Sequence, residues 1–272
     1  MSKHGLSLLM LAALSAASWA DAPEPTSSAA AAAPHPAPTA ALGRRLLAAG
    51  PVELEADPAL HAFVRRTAEP AIAQHCAGCH GQDLKGARPG VPDLTDDDTL
   101  WNTGALEEID ATQLLSLEQT ILWGIRNQDC PDSERKQQYG ACPDTRYSHM
   151  PAYGKEGTFN SAQIADLAEY VLQLSKQSAD AAAAGRGKQL YAQGCGECHA
   201  ADGFGYGPYG GPNLTDDVWL FGGSRAAIIN TITNGPGPHG DGGYCPPWAR
   251  KLDAVTIRAL AVYIHGKASG DY

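Results

Sequence analysis

Three kinds of apolar pattern divide the chain. Residues 6–17, LSLLMLAALSAA, form an almost unbroken apolar run. Residues 21–41 carry Pro, Ala and Ser with little apolar bulk, a composition that cannot bury a core and predicts a disordered tether containing His35. From Gly43 onward, RRLLAAGPVELEADPALHAFVRRT places apolar residues at helical spacing. SAQIADLAEYVLQL at 161–174 sets Ile164, Leu167, Ala168 and Val171 at i, i+3, i+4 and i+7, and DAVTIRALAVYIHG at 253–266 has the same character. Both predict amphipathic helices. No alternating apolar run supports a sheet, so the chain is predicted all-α with long loops.

The pattern also repeats. CAGCH (76–80), PDLTDDDTLW (92–101), MPAYG (150–154) and the helix at 161–174 are matched in order by CGECH (195–199), PNLTDDVWL (212–220), CPPWA (245–249) and the helix at 253–266. Four matched blocks in one order mean two copies of one domain. The expected organisation is a signal peptide at 1–20, a Pro/Ala-rich tether at 21–42, a first domain at 43–176 and a second at 177–272. SKQSADAAAAG (175–185) marks the break between the copies.

Lys3 and His4 precede the short apolar run and small residues end it at Ala20, so the segment reads as an export signal. No later stretch reaches the roughly 18 apolar residues of a membrane span, which predicts a periplasmic protein without a transmembrane anchor after cleavage. Removing residues 1–20 takes away Lys3 and no acid, moving the formal charge from −10 to −11. Such a balance argues against nucleic acid, which calls for a basic face. Thirty Gly and nineteen Pro with few aromatics suggest a loop-rich fold built around something other than its own side chains.

That something is named by the cysteines. Cys-x-x-Cys-His is the attachment motif of c-type haem: two thiols one helical turn apart form thioethers to the vinyl groups, and the next imidazole reaches the iron. Cys76, Cys79 and His80 are assigned to one haem, and Cys195, Cys198 and His199 to a second. A structural zinc site favours a second Cys pair some 15 to 20 residues on, whereas Cys79 and Cys195 are 116 apart. A thioredoxin-type dithiol wants a βαβ context and does not explain His in both copies.

Met1 and Met10 lie in the expected signal, so Met150 is the one thioether available in residues 21–272. It is expected to complete the first haem, giving it a raised potential. In the repeat, Cys245 falls on the position of Met150, which makes it a thiolate candidate for the second haem. His239, six residues earlier, and an open site remain alternatives, and His265 is expected at the surface. Of seven cysteines, the remaining Cys130 and Cys142 bracket a polar insertion in the first copy. In an oxidising compartment they are expected to form a disulfide, contributing roughly 3 kcal/mol in the chain-entropy model.

Both halves resemble class I cytochromes c, in which a proline carbonyl 12 or so residues past the histidine orients its ring, and that resemblance assigns the role to Pro92 and Pro212. PVELEADPAL, RYSHMPAYGKEG and above all GGPNLTDDVWLFGGSRAAIINTITNG resemble the di-haem subunit III of cbb3-type cytochrome c oxidases over about residues 42–268. The resemblance implies electron transfer from a respiratory donor toward oxidase subunits, with His80, Met150 and His199 as iron ligands and no catalytic residues. Cys245 in place of a second Met, and a signal and tether in place of a membrane helix, depart from the family and point to a soluble electron shuttle. The rival reading is a di-haem enzyme that oxidises thiosulfate or a related sulfur compound at a His/Cys haem, and a third is a redox or gas sensor.

Overall fold

The computed structural model describes residues 37–272, apart from 97, 99, 102–108, 129–141 and 238–242. The expected signal, Cys130 and His239 lie outside the described residues. Helix α1 (Ala37–Ala48) leads to α2 (Pro51–Ala56) and α3 (Pro58–Ala71). Asp57 caps α3 by accepting from the N–H groups of Ala59 and Leu60, and Pro58 supplies the pre-set first turn. Pro70 has no N–H to give, and α3 passes through one π turn (Ile72–Cys76) into the short α4 (Ala77–His80). Then come α5 (Ile109–Trp123), α6 (Ser161–Leu174), α7 (Ala181–Gly194), α8 (Gly196–His199), α9 (Arg225–Asn234) and α10 (Ala254–Ser269). Asn160 and Gln163 close a full capping box at α6, while Asp180, Ser224 and Asp253 cap the later helices.

The all-α class is as expected: among the described residues there are only isolated β-bridges. No helix among them is long and apolar enough to cross a membrane. Ordered structure starts earlier than Gly43, because α1 takes in residues assigned to the tether, where Leu42 and Leu46 anchor it on the core. His265 is half-buried and lines a surface cleft with Pro51, Leu54 and Tyr272.

The packing departs from the sequence repeat. The helix that closes the second copy, α10, packs on α1, α3 and α5 of the first. Its Leu260, Ala261 and Tyr263 share one core with Phe63, Val64, Ile72 and Leu114. The helix that closes the first copy, α6, packs on α7 and α9 of the second, joining Leu167 and Val171 to Tyr191, Ile228 and Ile232. The boundary at 176/177 therefore separates the repeats but not the cores. One core is built from a continuous segment, roughly the Met150 loop through α9. The other takes its helices from both ends of the chain.

Close approach and charge fix these pairings. A Cβ on Gly187 of α7 would lie 2.0 Å from the Asp166 carbonyl of α6, so only glycine lets the two backbones touch. Arg186 forks onto Asp166 beside it. Arg258 of α10 donates to Glu118 of α5 at 2.9 Å and to the Ala49 carbonyl at 3.0 Å. Reciprocally, Glu169 of α6 accepts from Arg225 of α9 at 2.7 Å and from Ser178 at 2.9 Å.

These partners, Arg225 foremost, hold the Glu169 carboxyl below its ordinary 4.5. The unfolded chain then takes up that proton first. The stabilisation is complete above about 4.5 and is lost as pH falls through the lower folded value. Glu169→Gln is expected to lower the urea midpoint at pH 7 and to flatten its decline between pH 5 and pH 3; an unchanged acid limb would show that the pair does not couple folding to protons.

Candidate cofactor sites at the two Cys-x-x-Cys-His turns

Each motif ends the helical turn that follows its copy's long helix. Cys76 closes the π turn and Cys79 and His80 lie on α4; Cys195 follows α7 and Cys198 and His199 lie on α8. Two backbone bonds recur in the loops beyond them. Gly86 N–H donates to the His80 carbonyl at 2.8 Å and Gly205 to that of His199 at 2.9 Å; Leu94 donates to Leu84 at 2.8 Å and Leu214 to Gly203 at 2.7 Å. Asp93 and Asn213 then turn the chain by accepting from Thr95 and Thr215.

This loop brings Pro92 and Pro212 onto the histidines. Nδ1 of His80 lies 3.1 Å from the Pro92 carbonyl oxygen, and Nδ1 of His199 lies 2.9 Å from that of Pro212. A carbonyl only accepts, so Nδ1 carries the hydrogen and Nε2 keeps its lone pair. Burial pushes both imidazoles below their ordinary range, against the opposing pull of the carbonyls. Both rings are therefore neutral at pH 7, as an iron ligand must be.

The distal loops are crossed like the helices. Met150 packs with Tyr153, Cys195, Leu214 and Trp219 against the core that holds α6, α7 and α9. Cys245 lies beside Cys76 and Cys79, whose proximity adds to burial in raising its thiol to about 11. The sequence paired Met150 with His80 and Cys245 with His199. The structure instead packs Met150 against the core that Cys195 joins and sets Cys245 beside Cys76 and Cys79. Each loop thus lies on the side of the other copy's attachment turn, not its own.

The Cys245 strap is laid on the end of α5. Ile125 and Cys245 exchange backbone hydrogen bonds at 2.9 and 3.2 Å, and Trp248 and Ala249 donate to Ile121 and Leu122. The Trp248 ring reaches His75, next to Cys76, with centroids 5.1 Å apart. Across the molecule, Lys155 N–H donates to Thr233 at 3.0 Å at the end of α9, and Tyr153 Oη donates to the Gly194 carbonyl.

The chemistry of these sites fits haem. Burial raises Cys76 and Cys195 to about 11, each with a further push from its motif partner, the opposite of the lowered value a reactive dithiol needs. Among the described residues no group of three or more His, Cys, Asp and Glu is arranged to hold a metal ion. The indole Nε1 atoms of Trp101 and Trp219 are buried without a hydrogen-bond partner. An orphan donor of that kind costs on the order of 1–3 kcal/mol. Each haem brings two carboxylates able to accept from it.

Two class I cytochrome c folds with paired Cys-x-x-Cys-His turns define a di-haem electron-transfer cytochrome carrying two covalently bound haem c groups. Residues 68–175 match the cytochrome c family, and residues 182–264 match the family described as cytochrome C oxidase, cbb3-type, subunit III. The chain is 38% identical over 229 residues to the cbb3-type cytochrome c oxidase subunit FixP of Bradyrhizobium sp. (strain ORS 278), covering 83% of this chain and 68% of that protein. It is 37% identical to the cbb3-type cytochrome c oxidase subunit CcoP of Cereibacter sphaeroides, over 80% of this chain and 66% of the relative. The chain belongs to this family of cbb3-type oxidase subunits and spans about two-thirds of the length of these relatives.

Gly124, Ile125 and Arg126 were not singled out by the sequence. Gly124 has φ +73°, and a Cβ there would lie 2.2 Å from the Cys245 carbonyl oxygen. Gly124→Ala meets both the left-handed penalty and the strap, and is expected to destabilise the protein by about 2 kcal/mol or more in denaturant titration. A loss under ~0.5 kcal/mol would mean that the strap moves aside freely.

Proposed function

We propose that this protein is a periplasmic di-haem cytochrome that carries electrons between a respiratory donor and a cbb3-type oxidase, with crossed distal ligands. Cys76 and Cys79 hold the first haem and His80 and Cys245 its iron; Cys195 and Cys198 hold the second, with His199 and Met150 on its iron. The observation that carries this reading is the placement of Cys245 beside Cys76 and Cys79 and of Met150 in the core of Cys195. Trp101 and Trp219 supply the buried donors for haem carboxylates.

Haem supplies one-electron iron chemistry when bound. The chain decides its poise. Buried as a thiol, Cys245 needs the iron's charge to deprotonate, and as a thiolate it favours the ferric state. Met150 as a thioether raises the potential of its partner. Pro92 and Pro212 hold each imidazole in one tautomer, so neither ring has to reorient when the iron changes charge.

Export rests on residues 1–20. In that compartment we also infer the Cys130–Cys142 disulfide, because Cys142 is buried and stands outside the set of five free thiols. The oxidase partnership rests on the relatives' names.

Removing one attachment site separates crossed from sequential ligation. In Cys76→Ser/Cys79→Ser protein, near-infrared magnetic circular dichroism should keep the methionine-type ferric band and lose the thiolate-type band. Survival of the thiolate band instead would restore the sequential pairing. For the partnership, adding the protein to a cbb3-type catalytic core depleted of its own di-haem subunit should raise oxygen uptake several-fold. No rise at stoichiometric protein would remove the oxidase from the proposal.

A further inference from the structure

We propose that Arg126 is a positioning residue that sets both distal ligands at once and couples one iron site to the other. The proposal rests on the ligand reading above, in which Met150 and Cys245 face different haems.

Ile125 stands at the centre of a small ladder. On one side it bridges Cys245 in antiparallel fashion, and on the other it bridges Arg146 in parallel. Arg126 N–H donates to the Arg146 carbonyl at 2.8 Å and Arg146 N–H to that of Gly124 at 3.0 Å. The two distal straps thus run along opposite edges of residues 124–126.

The Arg126 side chain then repeats the tie one layer further on. Its Nε donates to the Ser148 carbonyl at 3.0 Å and its Nη1 to the Gly243 carbonyl at 3.0 Å. Ser148 lies two residues before Met150, and Gly243 two residues before Cys245. The guanidinium is planar and rigid, so two of its donors hold these carbonyls at a fixed separation. A lysine ammonium on a flexible stem cannot reproduce that fork. Arg126 also has φ +55°, in the left-handed region where a non-glycine side chain is disfavoured. The ladder and the fork hold it there, which is how such a conformation persists.

One residue thereby fixes the approach of a thioether to one iron and of a thiolate to the other. Loosening it frees both straps together. Loss of the thioether lowers a potential and loss of the thiolate raises one, so the two potentials should converge.

The test uses full-length protein with Arg126→Lys and Arg126→Gln, studied where two haems per chain are retained; the lysine variant keeps the charge and serves if the glutamine variant does not load. Imidazole titration of the ferric protein should displace both distal ligands at concentrations at least tenfold below those needed for wild type. The methionine-type and thiolate-type near-infrared bands should decline together, and the two midpoint potentials should move toward each other. Bands, imidazole affinities and potentials like wild type at both haems would overturn the proposal, as would a change confined to one haem. Absence of the two bands in wild type would overturn the ligand reading itself, whatever Arg126 does.

Discussion

The peptide of Cys245 lies directly on Gly124, and the rest of the molecule follows from that contact. With the strap 245–249 bonded along the end of α5, the helix that comes after it lands on α3 and α5. The first copy's core is then complete without its own closing helix. That helix, α6, buries its apolar face on α7 and α9. A steric vacancy of one methyl group thus permits the crossed topology.

Apolar burial supplies most of the driving force for both cores, but it is non-directional and does not choose between similar helices. Charge does. Arg258 and Glu169 are both buried, at 9% and 5% exposure, and each finds its counter-ion only across the crossing, on α5 and α9. An uncrossed arrangement would strand both, and an unpaired buried charge is strongly destabilising. The ion pairs act as selectors of partner more than as sources of stability.

This explains what the sequence disclosed. The helical period shows which face of 161–174 and 253–266 is buried, and the repeat sets MPAYG and CPPWA at equivalent positions. Neither says against which copy a face is buried. The attachment turns and the carbonyls of Pro92 and Pro212 were legible because they are local, set within one loop. The distal partners were not, because two equivalent copies offer each strap two equivalent sites. The left-handed backbone at Arg126 left no trace in composition, since arginine is an unexpected residue for it. The early start of α1 was hidden by alanines, which suit a helix and a loose tether alike until Leu42 and Leu46 find a core.

Nesting one core within the other gives the chain an order of construction. The core around Met150 and His199 is complete once α9 has emerged, with its distal loop and closing helix made before its attachment turn, as in a circular permutant. The core around His80 waits for the last residues to be synthesised. Until α10 arrives, the core against which Cys76 packs lacks one wall. Along this chain the first site to be translated is the last to close.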